Sequence, residues 1–280
     1  MKSYHQKFVS ETPLEVYPTG EISGFPVSPG MFDLNGATPL QNGVNFTIHT
    51  CGGTACELLL FHREEEEPFA VLPFPEAYKI GDVYSMIVYG LDIRDFEYAY
   101  RVDGPWDPEK GLLFDKKNIL LDPYAKAVSG QRTWGTHWDP TYHARVVKDS
   151  FNWGDMPQSK KELCDLIIYE LHVRGFTVHE SSGVQNRGTF AGLMEKIPYL
   201  RELGINAVEL MPIFEFDETM NAREINGERL LEYWGYNTVS FFAPNTSFTS
   251  VNEYNREGTE LKTLIKALHD NGIEVILDVV

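Results

Sequence analysis

One run, Leu166-Ile167-Ile168-Tyr169-Glu170-Leu171-His172-Val173, constrains this chain more than any other feature. Its apolar, β-branched character is that of a buried parallel strand, and parallel strands need crossover connections, usually helical. The pattern returns in Ala207-Val208-Glu209-Leu210-Met211, which ends at Pro212, and in Glu274-Val275-Ile276-Leu277-Asp278-Val279-Val280. Between these runs Phe190, Leu193, Ile197 and Leu200 recur at helical spacing after a Thr189 cap, and Gly204 stops them. Pro198 should kink or tighten that helix. Leu261, Leu264, Ile265 and Leu268 mark another, ended by Gly272. Three parallel strands with helices between them, and a long excursion after the second, predict the opening of a (β/α) barrel. A doubly wound sheet competes. Against it, Arg174-Gly175-Phe176-Thr177 after the first strand is no glycine-rich phosphate loop, and no G-x-G-x-x-G stands at a strand-helix junction.

Upstream the period changes. Residues 43–102 read as short strands punctuated by turns, at Val44 to Ile48, Glu57 to His62, Val83 to Val88 and Phe96 to Val102. In the last, Phe96, Tyr98, Tyr100 and Val102 alternate with Glu97, Ala99, Arg101 and Asp103, which predicts one buried face. Glu64 to Glu67 should form a solvated hairpin tip, since adjacent like charges need water. Asp103-Gly104-Pro105-Trp106-Asp107-Pro108 is dense in turn formers and closes this β region. In the connecting segment Trp134, Trp138 and Trp153 are expected to be packing anchors in preference to sugar platforms. The boundaries expected are an N-terminal extension over 1–20, an all-β module over 21–130, which the resemblance described below makes a carbohydrate-binding-like β-sandwich, a connecting segment over 131–162 and an incomplete barrel over 163–280.

At 280 residues with 42% apolar and 13% aromatic side chains, the chain can bury a sizeable core. Its formal charge of -17 would repel nucleic-acid phosphates and anionic membrane surfaces, which favours a neutral partner. Residues 1–20 contain no apolar run of signal-peptide length, so a cytoplasmic location is the expectation. Cys51, Cys56 and Cys164 are expected to be reduced thiols. His49, Cys51, Cys56 and His62 lack a paired C-x2-C spacing, so neither a metal nor another cofactor is expected.

Several long strings resemble one family. Phe96-Glu97-Tyr98-Ala99-Tyr100-Arg101-Val102-Asp103-Gly104-Pro105-Trp106 and Leu120-Leu121-Asp122-Pro123-Tyr124-Ala125-Lys126 are similar to a family 48 carbohydrate-binding module. Ile168 to Thr177 and Val208 to Pro212 resemble the first two barrel strands of the isoamylase and glycogen-debranching branch of the α-amylase superfamily, glycoside hydrolase family 13. Tyr233-Trp234-Gly235-Tyr236-Asn237-Thr238-Val239-Ser240-Phe241-Phe242-Ala243-Pro244 looks like the segment before the third strand. Asp278-Val279-Val280 looks like the start of a short signature that ordinarily runs on to an Asn-His pair, absent here. Arg174-Gly175-Phe176-Thr177 is similar to the debranching type; branching enzymes usually carry Gly-Ser-Trp there.

The resemblance implies an immunoglobulin-like β-sandwich followed by the first three strands of a truncated (β/α)8 TIM barrel, a multidomain β plus α/β fold. It implies retaining hydrolysis of α-1,6 branch linkages in glycogen, starch or limit dextrin by two carboxylates about 5 Å apart. It places the nucleophile on the fourth strand and the acid/base on the fifth, so no catalytic residue is expected before Val280, and the 280-residue chain is expected to be an inactive N-terminal fragment. An open barrel edge at Val280 would expose apolar surface, and an incomplete sequence is the favoured explanation. Tyr236 matches the aromatic residue that stacks on glucose, and Asp278 an acid that faces the sugar; Trp234 and His172 are weaker substrate-binding candidates. Glu209 is expected near the barrel wall, whereas Glu215 and Asp217 read as solvated loop carboxylates. The alternatives are a non-catalytic glucan-binding or structural remnant, and a pullulanase-, branching- or trehalose-releasing relative.

Overall fold

The computed structural model describes residues 17–130, 133–136, 141–155, 161–220, 223–251 and 253–280. Trp138 and most of the N-terminal extension lie outside the described residues.

The first half is built from β1 (Gly20–Ile22), β2 (Phe25–Pro29), β3 (Gly36–Pro39), β4 (Gly43–His49), β5 (Ala55–His62), β6 (Pro68–Pro73), β7 (Lys79–Ile80), β8 (Val83–Tyr89) and β9 (Phe96–Asp103). A small hairpin of β10 (Trp106–Asp107) and β11 (Leu112–Leu113) follows. One antiparallel sheet runs β1-β2-β8-β4-β3 with β7 on β8, the other β6-β5-β9. Alternate residues of β4 and β8, among them Phe46 and Met86, meet Leu58, Leu60, Tyr98 and Tyr100 of the second sheet in one core. This is a β-sandwich. Glu64 to Glu67 stand exposed between β5 and β6, as their mutual repulsion requires. Cys56 is sealed in the core, where burial pushes its thiol up to about 12.

The two motif strings of the module meet physically. Tyr98 donates its hydroxyl proton to Asp122 Oδ2 at 2.7 Å, Asp122 Oδ1 caps the Tyr124 amide at 2.8 Å, and Tyr100 bridges Leu120. Burial raises the Asp122 carboxyl above its usual range. The expectation of a single buried face on β9 fails: Glu97 and Ala99 are buried as well. The connecting segment causes this, pairing Ala144 with Tyr98 and stacking His143 on Phe61 at 3.8 Å, so that β9 is covered on its second face.

The second half contains β12 (Ile168–Leu171), α1 (Val173–Thr177), α2 (Phe190–Glu195), α3 (Ile197–Leu203), β13 (Ala207–Leu210), β14 (Phe214–Phe216), β15 (Arg223–Ile225), β16 (Glu228–Leu230), β17 (Thr238–Pro244), α4 (Arg256–Asp270) and β18 (Glu274–Leu277). β12, β13 and β18 form an open parallel sheet in that order, with Leu171, Leu210 and Leu277 in register. Leu171, Val208, Leu210 and Val275 share one core with Phe190, Leu193 and Leu200 of α2 and α3 and with Leu261, Leu264 and Leu268 of α4. All these helices therefore lie on one face of a sheet in sequential order. That is how a (β/α) barrel begins; a doubly wound sheet covers both faces.

The helix expected through Pro198 is instead two helices broken at Lys196. Pro198 falls in the first turn of α3, where its missing N–H costs nothing. Thr189 Oγ1 caps α2 through the Gly192 amide at 3.1 Å, and Gly204 closes α3 in the left-handed region at φ 85°. Trp134 packs against Phe216 and Phe248 as an anchor of this core, and Trp153 meets Phe151 edge-on.

Charged groups buried between the halves join them. Arg145 of the connecting segment reaches Glu257 of α4 at 3.1 Å and also bonds the Val128 carbonyl; His143 Nδ1 lies 3.5 Å from Glu97. Tyr254 donates to the Phe96 carbonyl at 2.9 Å while Arg63 and Arg145 lie over its ring. Among the described residues no helix is long and apolar enough to cross a membrane.

Candidate functional site

In a parallel β/α sheet, side chains of functional use collect at the C-terminal strand ends. Here those ends present His172 after β12, Met211 after β13 and Asp278 after β18, with the ladder continued by Met211 N to Leu171 O and Asp278 N to Leu210 O, both at 3.0 Å. Strand alternation sends Tyr169, Val208 and Val275 toward the helices and Glu170, Glu209 and Ile276, which are in register, to the opposite face. Asp278 shares the parity of Ile276 and stands above these carboxylates.

Tyr236 comes to this point from the loop between β16 and β17. Its hydroxyl donates to Asp278 Oδ2 at 2.5 Å. That hydrogen bond, with some burial and the charges of Asp278, Glu170 and Glu209, pushes the Tyr236 phenol up to about 12. The two residues that the sequence singled out for a sugar site, 42 positions apart, are thus in direct contact. Trp234 lies edge-on to Tyr236, with ring centres 6.2 Å apart, and is 60% exposed. Together Trp234, Tyr236 and Asp278 offer apolar ring surface beside a carboxylate, a combination suited to the C–H face and hydroxyls of a sugar.

His172 is placed differently. Its Nδ1 accepts from the Gly175 amide at 3.0 Å, capping α1, so its Nε2 carries the proton and donates to the Tyr233 carbonyl at 2.8 Å. Burial holds this imidazole down at about 4. Its ring stacks on Tyr233 at 4.2 Å, and Trp134 closes the edge of both rings.

Gly175 is required by this packing: a Cβ there would lie 1.7 Å from Tyr233 Oη. Helix propensity alone favours Gly175→Ala by about 1 kcal/mol. The contact reverses the sign, and we expect a loss of about 1–3 kcal/mol from overpacking, read as a lowered urea midpoint. A Gly175→Ala chain as stable as the parent would refute the contact, and a Tyr233→Ala background should relieve the loss.

Glu215 and Asp217 are not the solvated loop carboxylates that their neighbourhood suggested. Glu215 is fully buried and accepts from the Thr246 amide at 2.6 Å, pressed so close to Gly130 that a Cβ there would collide with it. Asp217 is buried and caps the Thr219 amide at 2.8 Å. The reason is β14, which pairs with β17 and draws this loop under the connecting segment. Neighbouring Glu218, which the sequence reading passed over, accepts from the Gly135 amide at 2.7 Å, and burial raises its carboxyl. Tyr233 and Gly175 were likewise not singled out, although both sit inside strings that drew notice for other residues. Glu209 is half-buried on the face opposite the helices.

The fold and this strand-end cluster define a class. Residues 35–125 match the profile described as carbohydrate-binding module 48 (isoamylase N-terminal domain), and residues 146–280 match alpha amylase, catalytic domain. The chain is 38% identical over 274 residues to a chloroplastic isoamylase 1 of Arabidopsis thaliana, covering 91% of this chain and 35% of that protein. It is 33% identical over 270 residues to a glycogen debranching enzyme of Serratia proteamaculans, covering 91% and 40%. The crystal structure of pullulanase type I from Bacillus subtilis, complexed with maltose, superposes with a TM-score of 0.68 at 26% identity, over 90% of this chain and 33% of that one. The chain thus joins a carbohydrate-binding module 48 to part of an alpha-amylase catalytic domain, has isoamylases and glycogen debranching enzymes as homologues, and spans about a third of the length of the Arabidopsis relative.

Proposed function

We propose that this chain is the leading part of an α-1,6-glucan debranching glycoside hydrolase, with Tyr236, Trp234 and Asp278 forming one wall of its sugar site. The observation that carries this reading is the Tyr236–Asp278 hydrogen bond at the C-terminal end of β18, which joins a loop aromatic to a strand-end acid. The ring would cover the apolar face of a glucose unit while Asp278 fixes the phenol and takes a sugar hydroxyl. Retaining cleavage needs a nucleophilic carboxylate and a carboxylic acid on opposite sides of the scissile bond. By the family resemblance these come from the fourth and fifth barrel strands, so turnover is assigned to the whole protein and none is expected of residues 1–280 alone. The partner is an α-glucan such as glycogen, starch or limit dextrin, which carries no charge to meet the net -17 of the chain.

Two measurements test this. The Tyr236→Ala chain should bind maltoheptaose about tenfold more weakly than the parent in calorimetric titration, the size expected for one ring contact and one hydroxyl. Equal binding by both would remove Tyr236 from the site. A full-length protein that releases no linear oligosaccharide from glycogen or amylopectin would end the debranching assignment and leave a glucan-binding or structural role.

A further inference from the structure

We infer that His172 and Tyr233 set the position of Trp234 and Tyr236, acting through the backbone of residues 232–236 and not through contact with sugar. The inference rests on the proposed sugar site only for its functional meaning. Its structural content stands on the contacts that fix this segment residue by residue.

The Glu232 amide donates to the Glu218 carbonyl at 2.7 Å. The Tyr233 carbonyl accepts from His172 Nε2 at 2.8 Å, and the Tyr233 ring lies on the imidazole with an interplanar angle of 18°. Gly235 follows at φ +84°, where a side chain would be strained and its Cβ would lie 2.8 Å from Phe216. The chain then delivers the Tyr236 hydroxyl to Asp278. His172 itself cannot move freely, because its Nδ1 is held by the Gly175 amide at the start of α1. Strand β12 and helix α1 are thereby coupled to the aromatic loop through one imidazole. Both ring nitrogens have backbone partners and the residue is only 6% exposed, so a sugar hydroxyl would have to displace one of them.

The two nitrogens can be separated. An asparagine side chain reaches as far as Nδ1 and is a good helix N-cap, but does not reach the Tyr233 carbonyl; a glutamine reaches as far as Nε2 and gives up the cap. We therefore compare H172N, H172Q and Y233L with D278A, which lacks any side-chain acceptor, as the reference for a broken Tyr236 hydrogen bond, following the Cζ resonance of Tyr236 in carbon-13 tyrosine-labelled chain. H172N and Y233L should shift this resonance most of the way to its D278A position, while H172Q leaves it near the parent value. The buried Tyr98 resonance, in the sandwich, should stay in place and report that each variant is folded. If His172 serves only as a helix cap, the order reverses: H172N matches the parent and H172Q departs from it. That reversal, or a parent-like resonance in Y233L, overturns the inference. Maltoheptaose affinity should fall about five- to tenfold in H172N, the worth of one buried hydrogen bond, and recover in H172Q. A parent chain that binds no maltoheptaose sinks the sugar-site reading, whereas the resonance comparison still decides whether His172 positions the loop.

Discussion

Replacing Glu257 by alanine is expected to destabilise the chain by about 3–5 kcal/mol, the cost of stranding a buried charge. The Arg145 and Glu257 side chains are 5% and 8% exposed and meet at 3.1 Å. Without the carboxylate, the guanidinium keeps the Val128 carbonyl and the Tyr254 ring 4.9 Å away, neither of which carries a compensating charge. Glu257 also sits in the first turn of α4, where Asn255 supplies no side-chain cap, so the substitution removes an anion from the positive end of the helix as well. The double variant R145M/E257L removes both charges and should recover most of the loss, because a buried pair contributes little over apolar packing of similar volume. Urea unfolding followed by tryptophan fluorescence measures both. An E257A chain within about 1 kcal/mol of the parent would show that water reaches Arg145 and that the pair does not tie the sandwich to α4.

Acid is expected to remove about 3 kcal/mol through His172. Burial holds its imidazole at about 4 in the folded chain against 6.5 when unfolded. The unfolded chain therefore binds the extra proton between these values, and stability falls as pH drops from about 6.5 to about 4; it is fully present above the unfolded value. Protonation also turns Nδ1 from an acceptor into a donor facing the Gly175 amide, so the α1 cap is lost with it. Asp92 and Asp149, whose carboxyls hydrogen bonds from Arg94 and Lys262 hold down, lose their contributions at lower pH, and they are present in every variant. The quantity to measure is the difference in unfolding free energy between the parent and H172N from pH 7 to pH 4. A difference that stays flat over that range would mean that His172 is solvated and titrates alike in the folded and unfolded chain.

Much of the fold was legible because its signals are local. The alternation of Phe96, Tyr98, Tyr100 and Val102, the apolar runs at β12, β13 and β18, the Thr189 cap and the Gly204 stop each depend on neighbours within a few residues. Tyr236 and Asp278 could be named from the strings that contain them. Their hydrogen bond could not, since they stand 42 positions apart and meet only through the parallel register of β18 on β13 together with the packing of the loop before β17. Residue type misled at Glu215 and Asp217: lone acidic residues in a loop are usually solvated, and nothing nearby in sequence announces the Thr246 amide or Gly130 that encloses Glu215. The second face of β9 was misread for the same reason, since its cover comes from residues 143 and 144.

By itself, the sequence determined that an all-β region precedes parallel strands with crossover helices, while the strand-end and loop residues expected to face a sugar were named through its resemblance to a known family. Periodicity and capping are properties of a few consecutive residues, so they survive without a third dimension. Only the tertiary structure decided what each polar side chain does. It committed both His172 nitrogens to backbone, buried Glu215 and Asp217, and paired Arg145 with Glu257 across the two halves. The role of a polar group is set by the partner that replaces its water, and in a folded chain that partner can stand a hundred residues away, as Glu257 stands 112 positions from Arg145.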